Sequence, residues 1–400
     1  MIRNMRNQIV SILSVIFLLA ATTVYAQNDR FYEELESKGY SIVVVENDKV
    51  REYLDDVAYD KPELLKKYSY SIVSKYSKGG SSRPAGLQLT WESDTPGEDI
   101  EAVEVSLVEL DDESGEWLFD GDMSGMHVKY YYPEVGSKEY LLCNMCPGKY
   151  CYYQIAEVLT NGLRNVLKRG RFYAEGQIRM LRVGGMYNVR DFGGWQTSFD
   201  REVVYGRLFR GNRPDVITET GKNDFVKNER ITADLDLRGT SLTVSPMGPP
   251  REVEYYCTSN QRYKYALTGT GGPNAIAKDL GIIADVLGRG GSVFLHCNHG
   301  VNRAGSLSFV IEGILGYSEA DLCRDYELSS FAYGSVARGQ NIADMFTIIR
   351  SYGQPGDDLA QCFYNFARSI GVSEETLDTI RSEMLGLYIN DPLITQAHRE

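Results

Sequence analysis

Two of the four histidines in this 400-residue chain sit in the stretch "HCNHGVNRAG", residues 296 to 305, on either side of Cys297 and just ahead of Arg303. A thiolate is a strong nucleophile, and a guanidinium is a planar fork that can hold two oxygens of one anion at once. The residues before the cysteine, Ser292 to His296, form a short apolar run that reads as a buried strand. Those from about Arg303 place Leu307, Val310, Ile311 and Ile314 on one face of a helix. A loop that feeds a helix start presents unpaired backbone N–H groups and the positive end of the helix dipole, so it is an anion site before any side chain is considered. A cysteine at its floor has its thiolate stabilised by the same amides. Gly300 lets the backbone bend without a Cβ obstructing the anion. The chemistry this spacing suits is attack by sulfur on an oxyanion gripped by backbone and arginine.

Such a loop needs a scaffold, and the chain from about Val183 to residue 392 supplies one. "RITADLDL" reads as a strand after a short helix beginning near Thr218. "PNAIAKDLGIIADVLGRGG" sets Ile276, Leu280, Ile283 and Leu287 at helical spacing, with glycines where the helix should stop. Ser318-x-x-Asp321 opens a further helix in the manner of a capping box. Strands alternating with helices predict an α/β domain with a mostly parallel sheet flanked by helices. Residues 83 to 182 follow a different grammar. "AGLQLTWES", "EAVEVSLVEL", "GEWLFDG", "HVKYYYP", "KEYLLC", "YCYYQIAEV" and "RGRFYAEGQIRMLRV" are short alternating runs between Gly, Asp and Pro turns, the pattern of an all-β sandwich domain. Residues 27 to 82 mix charge with aromatic side chains. "DKPELLKKYSYSIVSKYSKGG" looks helical there, and Gly79-Gly80-Ser81-Ser82 reads as a linker.

The first 26 residues read as a signal peptide. Arg3 and Arg6 precede an apolar run from Ile9 to Ala21, too short to span a membrane, and Val24-Tyr25-Ala26 offers small residues at a cleavage point. Its removal takes the formal charge from -13 to -15 over 374 residues, since the two arginines leave with it. The expected location is periplasmic or secreted, with no later membrane span. An acidic chain has no basic patch with which to release counterions, which argues against a nucleic-acid partner. Seven unevenly spaced cysteines do not make a disulfide framework. Cys143 and Cys146 have a zinc spacing, with Cys151 close by. No second such pair follows, so a local disulfide or buried thiols outweigh a metal site.

Cys-x5-Arg, with His before the cysteine and Gly three positions after it, resembles the active-site loop of the cysteine-dependent protein tyrosine phosphatases, His-Cys-x-x-Gly-x-x-Arg. Upstream, "MYNVRDFGGWQTSFDREVVYGRLFRGNRPD" and "LDLRG" are similar to the bacterial tyrosine-and-lipid phosphatase branch, as is "LGYSEADLCRDYELSSF" downstream. The resemblance implies hydrolysis of a phosphomonoester, phosphotyrosine-type, through a cysteinyl-phosphate, with no cofactor and no metal. It makes Cys297 the nucleophile, Arg303 the phosphate clamp and His296 the residue that tunes the thiolate from behind. The amides of Asn298, His299, Gly300, Val301, Asn302 and Arg303 would cradle the oxygens of a phosphorylated protein or small phosphomonoester. In the upstream domain, Trp91 and the Pro147-Gly148-x-x-Cys151-Tyr152-Tyr153 stretch resemble fibronectin type III patterning; the partner of that domain is not readable.

Three loop positions depart from that branch, which usually has Lys or Ala and then Asp before the arginine, and Thr after it. This chain has Val301, Asn302 and Ala304. Asparagine cannot donate a proton as an acid. Ala304 removes a hydroxyl that would help the cysteine leave, and Val301 removes a cation for a second phosphate. Asp191 and Asp236 are the carboxylates that the resemblance places near the loop, as stand-in acids or as structural acceptors held by Arg190 and Arg238. His299 is a further possible acid. A catalytically impaired phosphate-binding module is the alternative to a working phosphatase. A sulfurtransferase of the rhodanese type is disfavoured, because its loop is usually one residue shorter and lacks the "NVRDFGG" block.

Overall fold

The computed structural model describes residues 30–56, 73, 75–77, 84–114, 118–120, 123, 125–333 and 339–387. The expected signal peptide, the linker at 79–82 and most of the helix expected over 60–80 lie outside the described residues.

Two sheets pack on each other in the first half. The larger has the order β1-β7-β6-β3-β4 and the smaller pairs β2 with β5. Their strands are β1 (Ser41–Val44), β2 (Leu87–Thr90), β3 (Ile100–Leu110), β4 (Val128–Tyr131), β5 (Glu139–Leu142), β6 (Lys149–Leu159) and β7 (Arg164–Glu175). Alternation in β3 turns Val103, Val105 and Leu107 to one face. The antiparallel register sets Val105 beside Ile155 and Leu107 beside Tyr153, and Leu89, Trp91 and Leu142 cover them from the second sheet. Two expectations are corrected. The described part of "GEWLFDG", Leu118–Asp120, forms a 3-10 turn where a strand was expected. The larger sheet also takes an edge strand from outside the 83–182 boundary, because β1 pairs in parallel with β7.

The second half is the expected α/β arrangement. Its five-stranded sheet has the order β11-β10-β12-β9-β8, where β8 is Arg190–Asp191, β9 Leu208–Gly211, β10 Ala233–Asp236, β11 Glu254–Cys257 and β12 Val293–His296. All neighbours are parallel except the β8–β9 edge pair. Counting α1 (Asp48–Leu54) from the first half, the helices relevant to the site are α2 (Lys264–Thr268), α3 (Gly272–Gly288), α4 (Arg303–Ile314) and α5 (Glu319–Tyr333). Ile276, Leu280, Ile283 and Leu287 bury the predicted face of α3, and Gly290 follows its end with a left-handed φ of 80°. Helix α4 is buried from Ala304 to Ile314, so it runs through the domain instead of over its surface. Ser318 Oγ accepts the Asp321 N–H at 3.1 Å at the start of α5, the cap read from the sequence.

The core of this domain reaches past Val183. Ile178 and Met180 belong to it, and so do Val50, Tyr53, Leu54 and Val73 from the N-terminal segment. The Tyr53 hydroxyl donates to the Arg324 carbonyl at 3.0 Å, seating α1 on α5. Between the two halves lies a largely buried ionic chain. Lys129 meets Glu109 at 2.7 Å and Glu229 at 3.1 Å, and Arg179 meets Glu229 at 2.6 Å and Asp191 at 3.3 Å.

Candidate active site

Strand β12 is the middle strand of its sheet, and the chain leaves its carboxyl end directly into the cysteine loop. Open α/β sheets bind ligands at that end of their strands. Cys297 is buried, and the loop returns through Asn302 into the first turn of α4. The backbone N–H groups of Asn298, Gly300, Val301, Asn302 and Arg303 donate to no acceptor among the described residues. These are the orphan donors expected at a helix start, continued backward around the loop. Gly300 has a φ of 68°, and a Cβ on it would overlap the carbonyl of Gly211. Glycine is therefore required here by contact with the protein's own β9, rather than by clearance for a ligand.

The arginines around the loop divide into two kinds. Arg190 and Arg210 share Asp325: Arg190 Nε lies 2.9 Å from Oδ1 and Arg210 Nη1 2.6 Å from Oδ2. Burial alone would raise the Asp325 carboxyl, but the two guanidinium groups outweigh it and hold the group well below the usual carboxylate range. Arg210 also donates to the Gly300 carbonyl at 3.2 Å, so this buried cluster props the loop from beneath. Arg238 grips both oxygens of Asp236 at 2.8 Å and reaches Asp215 at 3.0 Å. Arg303 differs. It is half-buried, and its guanidinium has no carboxylate or other acceptor among the described residues.

The sheet register decides which of the expected residues meet. Asp236 stands beside His296 on the neighbouring strand. Its burial raises the carboxyl, but Arg238, His296 and the Tyr255 hydroxyl at 2.9 Å leave it lowered, hence ionised. Asp191 pairs with Phe209, which is level with Phe294, so it lies two residues short of the loop and two strands away. It accepts from Arg179 and from the amides of Gly193 and Gly206, and burial raises it to about 6. Asp236 is thus brought to the loop and Asp191 is not. His299 holds the Tyr187 hydroxyl at 2.7 Å, and burial followed by Arg213 lowers its imidazole below the ordinary value. His296 is buried with its Nε2 2.9 Å from Asp234 Oδ1.

Three residues here escaped sequence reasoning. Asp234 stands one residue before the "LDLRG" block, and on strand β10 it faces the side opposite its neighbour Leu235. Asp325 carries no local signal for its two arginines. Tyr263 donates its hydroxyl to Asn302 Oδ1 at 2.7 Å from a distant part of the chain. Cys143, Cys146 and Cys151 are buried free thiols, with Cys146 pushed up to about 12 by burial.

The fold and the loop define an α/β domain whose middle strand ends in a loop of unpaired backbone amides beside Arg303. The model of the tyrosine phosphatase family matches residues 181–388, just over half of the chain, and the protein belongs to that family. No curated protein matches the chain. Among the described residues, no helix is long and apolar enough to cross a membrane.

Proposed function

We propose that the protein hydrolyses phosphomonoesters of the phosphotyrosine type through a cysteinyl-phosphate, with Cys297 as nucleophile and Arg303 as the clamp. The observation that carries this reading is Arg303: the other arginines around the loop, Arg190, Arg210 and Arg238, are each engaged by a carboxylate, while Arg303 stands uncommitted beside a loop of uncommitted amides. In the first step Cys297 Sγ attacks phosphorus and the ester oxygen departs. In the second, water attacks phosphorus, the S–P bond breaks and inorganic phosphate leaves. Loop amides, the start of α4 and Arg303 meet the charge on the phosphoryl oxygens in both steps. His296, set on Asp234, fixes the backbone directly behind the nucleophile. Tyr187, partly exposed against His299, favours an aryl ester at the edge of the loop. Residues 83–182 acting as a fibronectin type III-like module, and export of the chain to the periplasm or beyond after cleavage near Ala26, belong to the same proposal.

Asn302 favours a second reading, a module that binds phosphate without turning it over. One experiment separates the two. Cys297→Ser in the full chain should lose turnover of an aryl phosphate by more than roughly a thousandfold while keeping tungstate binding within about threefold of wild type, since the amides and Arg303 remain. Unchanged turnover in that variant overturns the nucleophile assignment. Tungstate binding by a wild type that turns over no aryl phosphate establishes the binding module instead.

A further inference from the structure

We propose that Tyr263 is a positioning residue for the leaving group: it fixes the Asn302 side chain so that amide N–H groups, in place of a carboxylic acid, meet the departing oxygen. The inference rests on the reading of Cys297 as nucleophile. Asparagine at the start of a helix ordinarily turns its side chain back to cap the first turn. Asn302 holds that position on α4 and makes no side-chain capping bond. Its Oδ1 is instead taken by the Tyr263 hydroxyl at 2.7 Å. An asparagine side chain has one acceptor, Oδ1, and two N–H donors on Nδ2, all in one amide plane, with the oxygen and the nitrogen on opposite sides of the Cβ–Cγ axis. With Oδ1 bound to the phenol, Nδ2 faces away from Tyr263, at the loop position next to Arg303, and no described residue accepts from it.

Tyr263 is itself built into place. Its backbone N–H donates to Ser306 Oγ at 2.7 Å, and that hydroxyl donates to the Asn302 carbonyl at 2.8 Å. Both ends of Tyr263 therefore touch the first turn of α4. Its backbone has φ 55° and ψ −140°, a region that costs a residue with a side chain on the order of 1–3 kcal/mol and persists only where the surroundings impose it. The step this supports is simple. Sγ attacks phosphorus, the P–O ester bond breaks, and the oxygen leaves with its electron pair as an anion. It is stabilised by hydrogen bonds from Asn302 Nδ2 and then takes its proton from water. Such donation aids an oxygen that can bear charge, so the substrate class is aryl rather than alkyl phosphates.

The test is a series of aryl phosphates whose leaving phenols run from strongly to weakly acidic, assayed on the full chain. Tyr263→Phe keeps the ring and removes only the hydroxyl. Its kcat/KM should stay within about threefold of wild type on the most acidic phenol and fall roughly tenfold on the least acidic, the scale of one hydrogen bond to a developing charge. Asn302→Leu should steepen the series in the same way, and the double variant should add nothing further. A loss of equal size across the series, or additive losses in the double variant, overturns the role of Tyr263 and leaves Cys297 untouched. If Tyr263→Phe does not fold, Asn302→Leu decides alone: an unaltered slope sinks the proposal. A wild type with no turnover of any aryl phosphate removes the nucleophile reading first, and this inference with it.

Discussion

Asp236 and Arg238 stand two residues apart, and the bidentate pair they form weighs against Asp236 as the proton donor. The carboxyl is lowered and so ionised at neutral pH, with no proton to give. Asp236→Asn should therefore slow good and poor leaving groups alike, because what is lost is the hold on Arg238. The ratio of kcat/KM between a nitrophenyl and an alkyl phosphate should stay within about threefold of wild type, whereas a true general acid is worth about 10²–10⁴-fold on the poor leaving group. A loss confined to the alkyl ester would make Asp236 the proton donor after all. At this scale the sequence was informative wherever partners are local. The Cys-x5-Arg spacing, the glycine and the strand–loop–helix order all lie within a short stretch, and Asp236 and Arg238 are near neighbours. Tyr263 was not legible, because nothing near it in sequence says that its hydroxyl will meet Asn302.

The elements that frame the loop carry two carboxyl groups with opposite pH behaviour. On α3, Asp279 accepts from Asn260 Nδ2 at 2.5 Å, and burial raises its carboxyl to about 7. The folded chain then binds its proton more tightly than the unfolded one. That stability is fully present below the unfolded value near 3.8 and is lost as pH rises through about 7. On α5, Asp325 is lowered, so its contribution is present above the unfolded value and is lost as pH falls toward the depressed one. Denaturant midpoints from pH 4 to 8 should show Asp279→Asn flattening the decline toward alkaline pH, by on the order of 4 kcal/mol at most. A variant as pH-dependent as wild type over that window would refute the assignment. The helix faces of α3 and α4 were readable from spacing alone. The misread turn at Leu118–Asp120 has strand-like composition, but composition does not say whether a partner strand lies alongside.

Across the whole molecule, the chain from Lys129 through Glu229 and Arg179 to Asp191 locks the first sheet to the α/β domain. Removing one member leaves buried charge uncompensated, which costs about 3–5 kcal/mol. Calorimetry on the full chain should show one unfolding transition, and Glu229→Ala should lower its midpoint markedly. Two transitions in wild type, with only one of them moved by Glu229→Ala, would show that the halves fold independently. The docking itself was not visible in the sequence: its charges come from β3, β4, β8 and loops between, and even Asp191, which the sequence singled out, gave no sign of its partner Arg179. The same holds for β1, whose partner strand lies more than a hundred residues on.

That edge strand sets a timetable for biosynthesis. Ser41–Val44 can pair only after the segment around Phe172 exists, and Tyr53 reaches its acceptor at Arg324 across a separation of 271 residues. At a synthesis rate of about 5–20 residues per second, the apolar side of α1 waits for some tens of seconds on the nascent polypeptide. During that interval Val50, Tyr53 and Leu54 lack the later part of the core they pack into, and a holdase chaperone has a ready target in them. A ribosome that stalls before the codon for Arg324 leaves a product whose beginning has nowhere to go, and proteolysis will find it there first.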